Sequence, residues 1–198
     1  PAPTGTPPGP TPTPTPAREI VSIVVTPVSD GVVVGGARAF RAIASFADGT
    51  GADVTPLVAW SSATPSIATV SAGGIASGVA PGMATIEAAS GGVTGSAQLT
   101  VVAAVAGDST LPVAAITAPS ANAQVTAPVS VVGTASDANF VRYELDLAPL
   151  GETTFSRIAT GASPVTGGTL GTLDPTSLLN GPHTLRLRVY DAGGNVAE

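Results

Sequence analysis

Few residue types in this 198-residue chain could perform acid–base or nucleophilic catalysis, because it contains no cysteine and a single histidine, His183. A nucleophile needs an adjacent base, and that base needs a third group to orient it. No such motif accompanies His183, which falls on the apolar face of a predicted strand, HTLRLRVY. The sequence also lacks a phosphate-binding loop, an HExxH motif and a His/Cys zinc spacing. We therefore interpret His183 as a packed or corner histidine and predict no enzyme and no catalytic residue.

Carboxylates in glycine-containing loops are the second group that could do chemistry. Asp48 and Asp53 lie in ADGTGAD, Asp137 lies in ASDAN, and Asp191 lies with Asn195 in DAGGN. Hard oxygen ligands of this kind suit Ca²⁺, but none of the loops has the spacing of an EF-hand. Asp-Gly and Gly-Asn pairs are also the residues that tight turns require. We therefore predict that these are turn residues, with no metal site and no cofactor.

Charge and aromatic content argue against several classes of partner. The net charge is -6, and the seven basic residues, all arginine, form no stripe along the sequence, so we predict no nucleic-acid binding. Phe155 and Tyr190 are the rings that we place at the surface, too few for a platform that stacks sugars. The most apolar stretch, LTVVAAVAGDSTLPVAAITA, is interrupted by Asp108 and Pro112, so we predict no membrane insertion.

Short strands separated by turns are the elements that must position these residues. The 24 glycines and 19 prolines, together with abundant Val, Ala, Thr and Ser, favour an all-β protein. Alternation is clear in ARAFRAIASF, where Phe40 and Phe46 share one face with two alanines. Because only 4% of the residues are aromatic, small aliphatic side chains must fill the core. We expect the few rings, including Trp60 and Tyr143, to anchor it.

Composition divides the chain into four segments. Residues 1–18 alternate Pro and Thr, which predicts an extended, disordered linker. Residues 19–103 hold the first set of predicted strands, and 104–112 form an interdomain linker interrupted by Gly, Asp and Pro. Residues 113–198 hold the second set, at the spacing of about ten residues that is typical of β-sandwiches. This set stops at NVAE, where a final strand should run, so we expect a domain truncated at its C-terminal strand.

Two strands of the second set carry charges on one face. In FVRYELDLAP, Glu144 and Asp146 alternate with apolar residues, and in HTLRLRVYD the same is true of Arg186 and Arg188. If these strands pair, the carboxylates lie opposite the guanidinium groups. We predict solvent-exposed cross-strand pairs that contribute little stability.

The run from Trp60 to Ala88 contains a series of ordered motifs: Trp60-Ser61-Ser62, Pro65-Ser66-Ile67-Ala68-Thr69-Val70, Gly74-Ile75, Gly78-Val79, Gly82 and Ala84-Thr85-Ile86. This pattern resembles the bacterial immunoglobulin-like group 2 domain, a module of invasin- and intimin-type surface proteins. It extends upstream to SIVVTP and Asp48-Gly49 and covers about residues 19–103. The resemblance implies a β-sandwich in which Trp60 is buried in the core and the glycines form turns.

Residues 113–198 are similar to another bacterial Ig-like module, whose subfamily stays open. The motifs are Ile116-Thr117-Ala118-Pro119, Gly133-Thr134-Ala135-Ser136-Asp137, Leu170-Gly171-Thr172-Leu173-Asp174, Asn180-Gly181, Leu185-Arg186-Leu187 and Asp191-Ala192-Gly193-Gly194-Asn195. Such modules often place a tyrosine where this chain has His183. The corner hydrogen bond of that tyrosine is then either absent or replaced by one from the imidazole.

Together these observations predict two tandem immunoglobulin-like β-sandwiches behind a Pro/Thr-rich linker. The resemblance implies a noncatalytic spacer or stalk module of a larger protein, either secreted or on the bacterial cell surface. Its partners are then other domains of the same polypeptide. Two alternatives stay open: an adhesin-type module that binds a cell-surface glycan or host protein, and an accessory domain of an extracellular glycan-active enzyme.

Overall fold

A computed structural model describes residues 18–198, so nearly all of the predicted Pro/Thr-rich linker lies outside the described residues. The described part is built from strands, with one 3₁₀ turn, and no helix in it is long and apolar enough to cross a membrane. The strands form two tandem sandwiches, which confirms the predicted all-β, immunoglobulin-like fold class.

The first sandwich contains ten strands in three small sheets. They are β1 (Ile20–Thr26), β2 (Ser29–Val33), β3 (Ala37–Ala39), β4 (Arg41–Phe46), β5 (Gly51–Asp53), β6 (Ala59–Ser62), β7 (Ala68–Val70), β8 (Ile75–Gly78), β9 (Gly82–Ser90) and β10 (Val93–Val102). The sheet orders are β1-β4-β5, β3-β8-β7 and β2-β10-β9-β6. The long strand β10 pairs antiparallel with β9 and parallel with β2, so both of its edges are paired.

Small side chains fill the first core, with Phe40 at its centre. Phe40 is 1% exposed, whereas Phe46 and Trp60 are only half-buried and pack against the core from outside. The indole N–H of Trp60 donates to the carbonyl oxygen of Thr55 at 2.9 Å. The prediction that Trp60 is buried in the core is therefore wrong: the indole packs against the core but is only half-buried. The indole lies at the margin because its polar edge needs a partner, while Phe40 has no such requirement.

The second sandwich contains seven strands in two sheets. They are β11 (Val113–Ala118), β12 (Val129–Ser136), β13 (Phe140–Pro149), β14 (Ser156–Gly161), β15 (Val165–Leu173), β16 (His183–Asp191) and β17 (Val196–Ala197), with the 3₁₀ turn at Pro175–Ser177. The sheet orders are β11-β12-β15 and β14-β13-β16-β17. The last strand, β17, has only two residues and pairs with Val189 and Tyr190 of β16.

The second core is aliphatic, with one tyrosine that bridges the two sheets. Leu145 and Val189 are fully buried, and Tyr143 is 7% exposed. The Tyr143 hydroxyl donates to the carbonyl oxygen of Leu170, on the opposite sheet, at 2.8 Å. Tyr143 therefore fixes the spacing of the sheets by a hydrogen bond as well as by packing.

Candidate functional site

The two sandwiches meet at a junction where backbone touches backbone. Gly31 of β2 lies against Val141 of β13 so closely that a Cβ on Gly31 would sit 2.1 Å from the Val141 carbonyl oxygen. Val141 is 2% exposed, although it belongs to neither core. The pairing of β13 with β16 shifts register between Phe140 and Arg142. Such a bulge re-aims side chains, and here it places Phe140 against the core. The junction therefore buries what would otherwise be the outer surface of the second domain.

Hydrogen bonds tie the interdomain segment to the second sandwich. The Val105 N–H donates to the Ala192 carbonyl oxygen at 2.8 Å. Further along, Asn139 Nδ2 donates to the Asp108 carboxylate at 2.9 Å, and Asn195 Nδ2 donates to the Asp108 carbonyl oxygen at 3.1 Å. The segment predicted to be a linker is thus held at two places by the domain that follows it.

A buried ionic network covers the β13 face at the junction. The predicted cross-strand pairing of these charges is confirmed, and the register places Glu144 opposite Arg188 and Asp146 opposite Arg186. The predicted solvent exposure is wrong, because Glu144 is 3% and Asp146 2% exposed. Arginine side chains and the first domain cover these carboxylates. Five of the chain's seven arginines contact them directly: Arg38, Arg142, Arg157, Arg186 and Arg188.

One of these arginines comes from the first domain and links the two sandwiches. Arg38 Nε donates to the Asp30 carboxylate at 2.7 Å, and its terminal nitrogen donates to Glu144 at 3.0 Å. Asp30 is 2% exposed and its other oxygen accepts the Gly31 N–H at 2.8 Å. Removal of Arg38 would leave Asp30 buried without its countercharge, which is costly. The ion pairs therefore lock together the surfaces that the Gly31 backbone brings into contact.

Glu144 is the electrostatic centre of the junction. Burial by itself raises the pKa of a carboxyl group. Hydrogen bonds and positive charge from Arg142 and Arg157, with the Tyr190 hydroxyl donating at 2.9 Å, outweigh the burial and lower the pKa of Glu144 to about 2. Glu144 is consequently charged at neutral pH and holds the surrounding arginines in place.

Both rings that were predicted to lie at the surface are covered by arginine. The Arg142 guanidinium lies 3.7 Å from the ring centroid of Tyr190, and that of Arg186 lies 3.7 Å from that of Phe155. Both rings are half-buried. A ring with an arginine on its face is not available on that face for stacking against a sugar.

Three aspartates from separate segments converge beside the junction. Asp108 of the linker, Asp137 of the β12–β13 loop and Asp191 at the end of β16 have carboxylate oxygens within 4.8 Å of one another. Oxygens of this kind can hold Ca²⁺. Each carboxylate also accepts a backbone N–H two residues further on, as in an Asx turn. Turn geometry thus accounts for each of the three carboxylates, and the absence of a metal site stays a prediction.

The other two aspartates considered in the sequence, Asp48 and Asp53, lie at turns of the first domain. The Asp48 carboxylate accepts hydrogen bonds from the hydroxyl and N–H of Thr50 and from Arg18, and these lower the pKa of Asp48 to about 2. Asp53 accepts the Thr55 N–H at 2.9 Å, and its pKa is lowered by its hydrogen bonds to Thr55. Both stabilise turns of the first sandwich and do not join the aspartates at the junction.

His183 makes a local backbone contact. Its Nδ1 lies 3.0 Å from the carbonyl oxygen of Gly181, which can only accept, so the ring donates from Nδ1. The imidazole thus provides a short-range hydrogen bond at the turn into β16, one of the two outcomes considered from the sequence. The side chain is half-buried, and His183 is the first residue of β16.

The junction itself was not predicted. Arg38 and Glu144 are 106 positions apart, and no periodicity in either strand indicates that they meet. One signal was present: Gly31 interrupts an apolar strand, and a strand glycine often marks a close backbone approach. The motifs ASDAN and DAGGN were both noted, but their convergence with Asp108 depends on the path of the linker.

The fold defines a pair of immunoglobulin-like β-sandwiches, and the comparison with known families identifies the first. Residues 20–101 match the family model of the bacterial Ig-like domain (group 2), which confirms the resemblance of the first sandwich to that family. The subfamily of the second sandwich stays a prediction.

Among curated proteins, a region of 85 residues is 40% identical to Ice-binding protein 1 of Shewanella frigidimarina (strain NCIMB 400). This region is 43% of the chain and 10% of that protein, so the match spans about a tenth of the relative's length. Among solved structures, domains 5-6 of the S-layer protein SbsC align with a TM-score of 0.40 at 21% identity, covering 91% of this chain and 94% of that one. Domains A168-A170 of titin align with a TM-score of 0.26 at 11% identity, covering 90% and 63%.

Proposed function

We propose that this segment is a noncatalytic structural spacer of a larger bacterial protein that is secreted or displayed at the cell surface. The observation that carries the proposal is the junction, in which Gly31 abuts the Val141 backbone and Arg38 bridges Asp30 and Glu144. A spacer acts through the distance and orientation that it imposes, and both require that its domains do not hinge freely. Tandem domains joined only by a flexible linker would move independently.

Three features of the junction act together against hinge motion. The Gly31 contact leaves no space for the strands to slide toward each other, since even a methyl group would collide with Val141. The contacts of Arg38 with Asp30 and Glu144 cross the junction, and loss of these contacts is unfavourable as long as the two carboxylates stay buried. The linker cannot lengthen without loss of the hydrogen bond from Val105 to Ala192. Packing, charge and linker hydrogen bonds therefore favour one relative orientation of the two domains.

The match to the ice-binding protein supports placement within a longer chain. The similar region is a tenth of that protein, so there a module of this type is accompanied by a much larger remainder. By analogy, the partners of this segment are other domains of its own polypeptide, which it holds at a set distance from a surface.

The proposal is tested by exchange within the full-length protein. Replacing residues 19–198 with an unrelated, rigid tandem sandwich of equal length should preserve attachment or delivery, whereas a single sandwich should impair it. A matched replacement of equal contour length but with a flexible linker separates stiffness from length. If activity is lost with the rigid exchange, the segment carries specific binding and the spacer role is wrong.

A direct binding measurement distinguishes the adhesin alternative. The isolated segment is titrated against host glycans and surface proteins by calorimetry, and no saturable binding is expected. Saturable binding that is lost on substitution of Asp48, Asp137 or Tyr190 would instead establish a loop-borne ligand site. Asp48→Asn and Asp137→Asn are the matched variants, since each keeps the size of the side chain.

A further inference from the structure

The loop between the 3₁₀ turn and β16 contains an asparagine followed by glycine, Asn180 and Gly181, and both residues are exposed. The chain is anchored on either side of them. The Leu178 N–H donates back into the 3₁₀ turn at 3.1 Å, and the Pro182 carbonyl oxygen accepts from the Leu150 N–H at 2.9 Å. Between these anchors, neither the Asn180 side chain nor the Gly181 N–H has a hydrogen-bond partner among residues 18–198.

A free peptide nitrogen next to an asparagine side chain can attack its amide carbon. The Gly181 nitrogen gives up its proton and forms a bond to Cγ of Asn180. The Cγ–Nδ2 bond breaks, and the Nδ2 group takes up a proton and leaves as ammonia. The five-membered succinimide ring that remains is opened by water at one of its two carbonyl carbons. One opening gives aspartate, and the other gives isoaspartate, in which the main chain runs through the former side chain.

The local backbone meets the steric requirement of this reaction. Ring closure brings the backbone of the following residue against the asparagine side chain, and glycine has no Cβ to oppose it. Gly181 has a φ of 144°, a conformation that glycine adopts readily. A Cβ built on Gly181 would meet no atom within 4 Å, so the loop lies in open space and has room to rearrange.

The other three asparagines of the chain lack this combination of features. Asn139 and Asn195 hold their side-chain amides on aspartate carboxylates, at 2.9 and 2.8 Å, and bulky residues follow them. Asn122 is exposed, but the N–H that follows it, that of Ala123, donates to the Ser120 carbonyl oxygen at 3.0 Å. A nitrogen whose proton is held in this way must break its hydrogen bond before it attacks.

We propose that Asn180 is a site of spontaneous deamidation, through attack by the free Gly181 nitrogen. The reaction consumes only water. It adds one negative charge, and the isoaspartate product adds one carbon to the main chain directly before β16. Pro149, opposite His183 at this end of the sheet, is eight residues along β13 from Val141, which is about 26 Å. The modification therefore leaves the Gly31 contact unchanged, and the inference does not depend on the spacer role.

The test incubates the folded protein at neutral pH and follows each asparagine by peptide mass spectrometry, with methylation by an isoaspartyl methyltransferase as the readout for isoaspartate. Asn180 should convert at least about tenfold faster than Asn139 and Asn195, because only Asn180 precedes a glycine. Asn180→Gln should abolish the conversion, since attack would then have to close a less favourable six-membered ring.

A matched variant separates the structure of the loop from the dipeptide. Ala123→Gly places a glycine after Asn122 but keeps the hydrogen bond of the N–H at position 123 to Ser120. Asn122 in this variant should convert about threefold to tenfold more slowly than Asn180, because a hydrogen bond of ordinary strength must open first.

Three results would overturn the proposal. Conversion of Asn180 no faster than that of Asn139 and Asn195 would show that the loop protects it. Conversion of Asn122 in Ala123→Gly as fast as that of Asn180 would show that the free N–H is not what selects the site. Conversion of Asn180 more than about tenfold slower in the folded than in the urea-unfolded protein would show that the loop must open before the reaction.

Discussion

The two sandwiches share a fold but differ in how completely their cores are buried. In the first, β10 pairs with strands on both sides, and 16 apolar residues of the core are buried while six others are half-buried at the margin. In the second, nine core residues are buried and ten others are half-buried at the margin. The two domains also differ in their arginine content, since four of the seven arginines of the chain lie in the second domain. The comparison shows that the first core is removed from water more completely than the second, although small aliphatic side chains fill most of both.

The largest effect should follow from loss of the central ring of the closed domain. Phe40→Ala should lower the free energy of unfolding of the first sandwich by about 3 to 5 kcal/mol, because Phe40 is 1% exposed and leaves a cavity. Trp60→Ala should cost less, since the indole is half-buried at the margin. Urea unfolding followed by circular dichroism measures both. An equal or greater loss for Trp60→Ala would show that the indole, and not Phe40, anchors the core.

A somewhat smaller and pH-dependent effect is expected at the junction. The pKa of Glu144 is about 2 in the folded protein, below its ordinary value of 4.5. A lowered pKa contributes stability that is present above pH 4.5 and is lost as the pH falls toward 2. The difference corresponds to about 3 kcal/mol. Glu144→Gln should remove this contribution at pH 7 and make stability less dependent on pH between 5 and 2.

The control for this experiment is Glu152→Gln, since Glu152 is exposed in the β13–β14 turn. It should leave both stability and its pH dependence unchanged. If Glu144→Gln unfolds with the same pH profile as the unaltered protein, the arginine network does not hold Glu144 in its charged form.

A more modest effect is expected at the margin of the second core. Leu185→Ala should cost about 1 to 2 kcal/mol, because the leucine side chain is only half-buried and its removal leaves little cavity. The comparison variant Leu99→Ala, on the closing strand β10 and fully buried, should cost about 2 to 5 kcal/mol. The two are measured by urea unfolding at pH 7. Equal costs would mean that the side chain of Leu185 is as well packed as that of Leu99.

The smallest effect is expected at a surface ion pair of the first domain. Arg18 lies 2.7 Å from Asp48, and both side chains are about half-exposed. Such pairs contribute little to stability and weaken in salt. Arg18→Ala should lower the melting temperature only slightly, and the change should vanish in 1 M NaCl. A larger, salt-independent loss would instead indicate that the cation–π contact with Phe46 dominates.

The sequence was sufficient to predict local features, such as strands and turns. It was insufficient to predict contacts between residues that are far apart in the chain. Alternation correctly placed the carboxylates of Glu144 and Asp146 on the face that pairs with Arg186 and Arg188, because strand parity is a property of neighbouring residues. It could not predict that these charges are buried, because their cover combines arginines of neighbouring strands with Arg38 of the other domain. The exposed-pair expectation failed for that reason. Likewise, ASDAN and DAGGN were visible as turns, but their proximity to Asp108 follows from the folded path of the linker.

The most direct test of the rigid junction is a distance measurement between the two sandwiches. The chain has no cysteine, so Thr94→Cys and Thr166→Cys place one spin label on an exposed strand position of each domain. Pulsed electron paramagnetic resonance should give a single narrow distance distribution. Gly31→Val combined with Arg38→Ala should broaden it, and Arg18→Ala should leave it unchanged. A broad distribution in the labelled but otherwise unaltered protein, or a narrow one that survives the double substitution, would contradict a spacer held stiff by this junction.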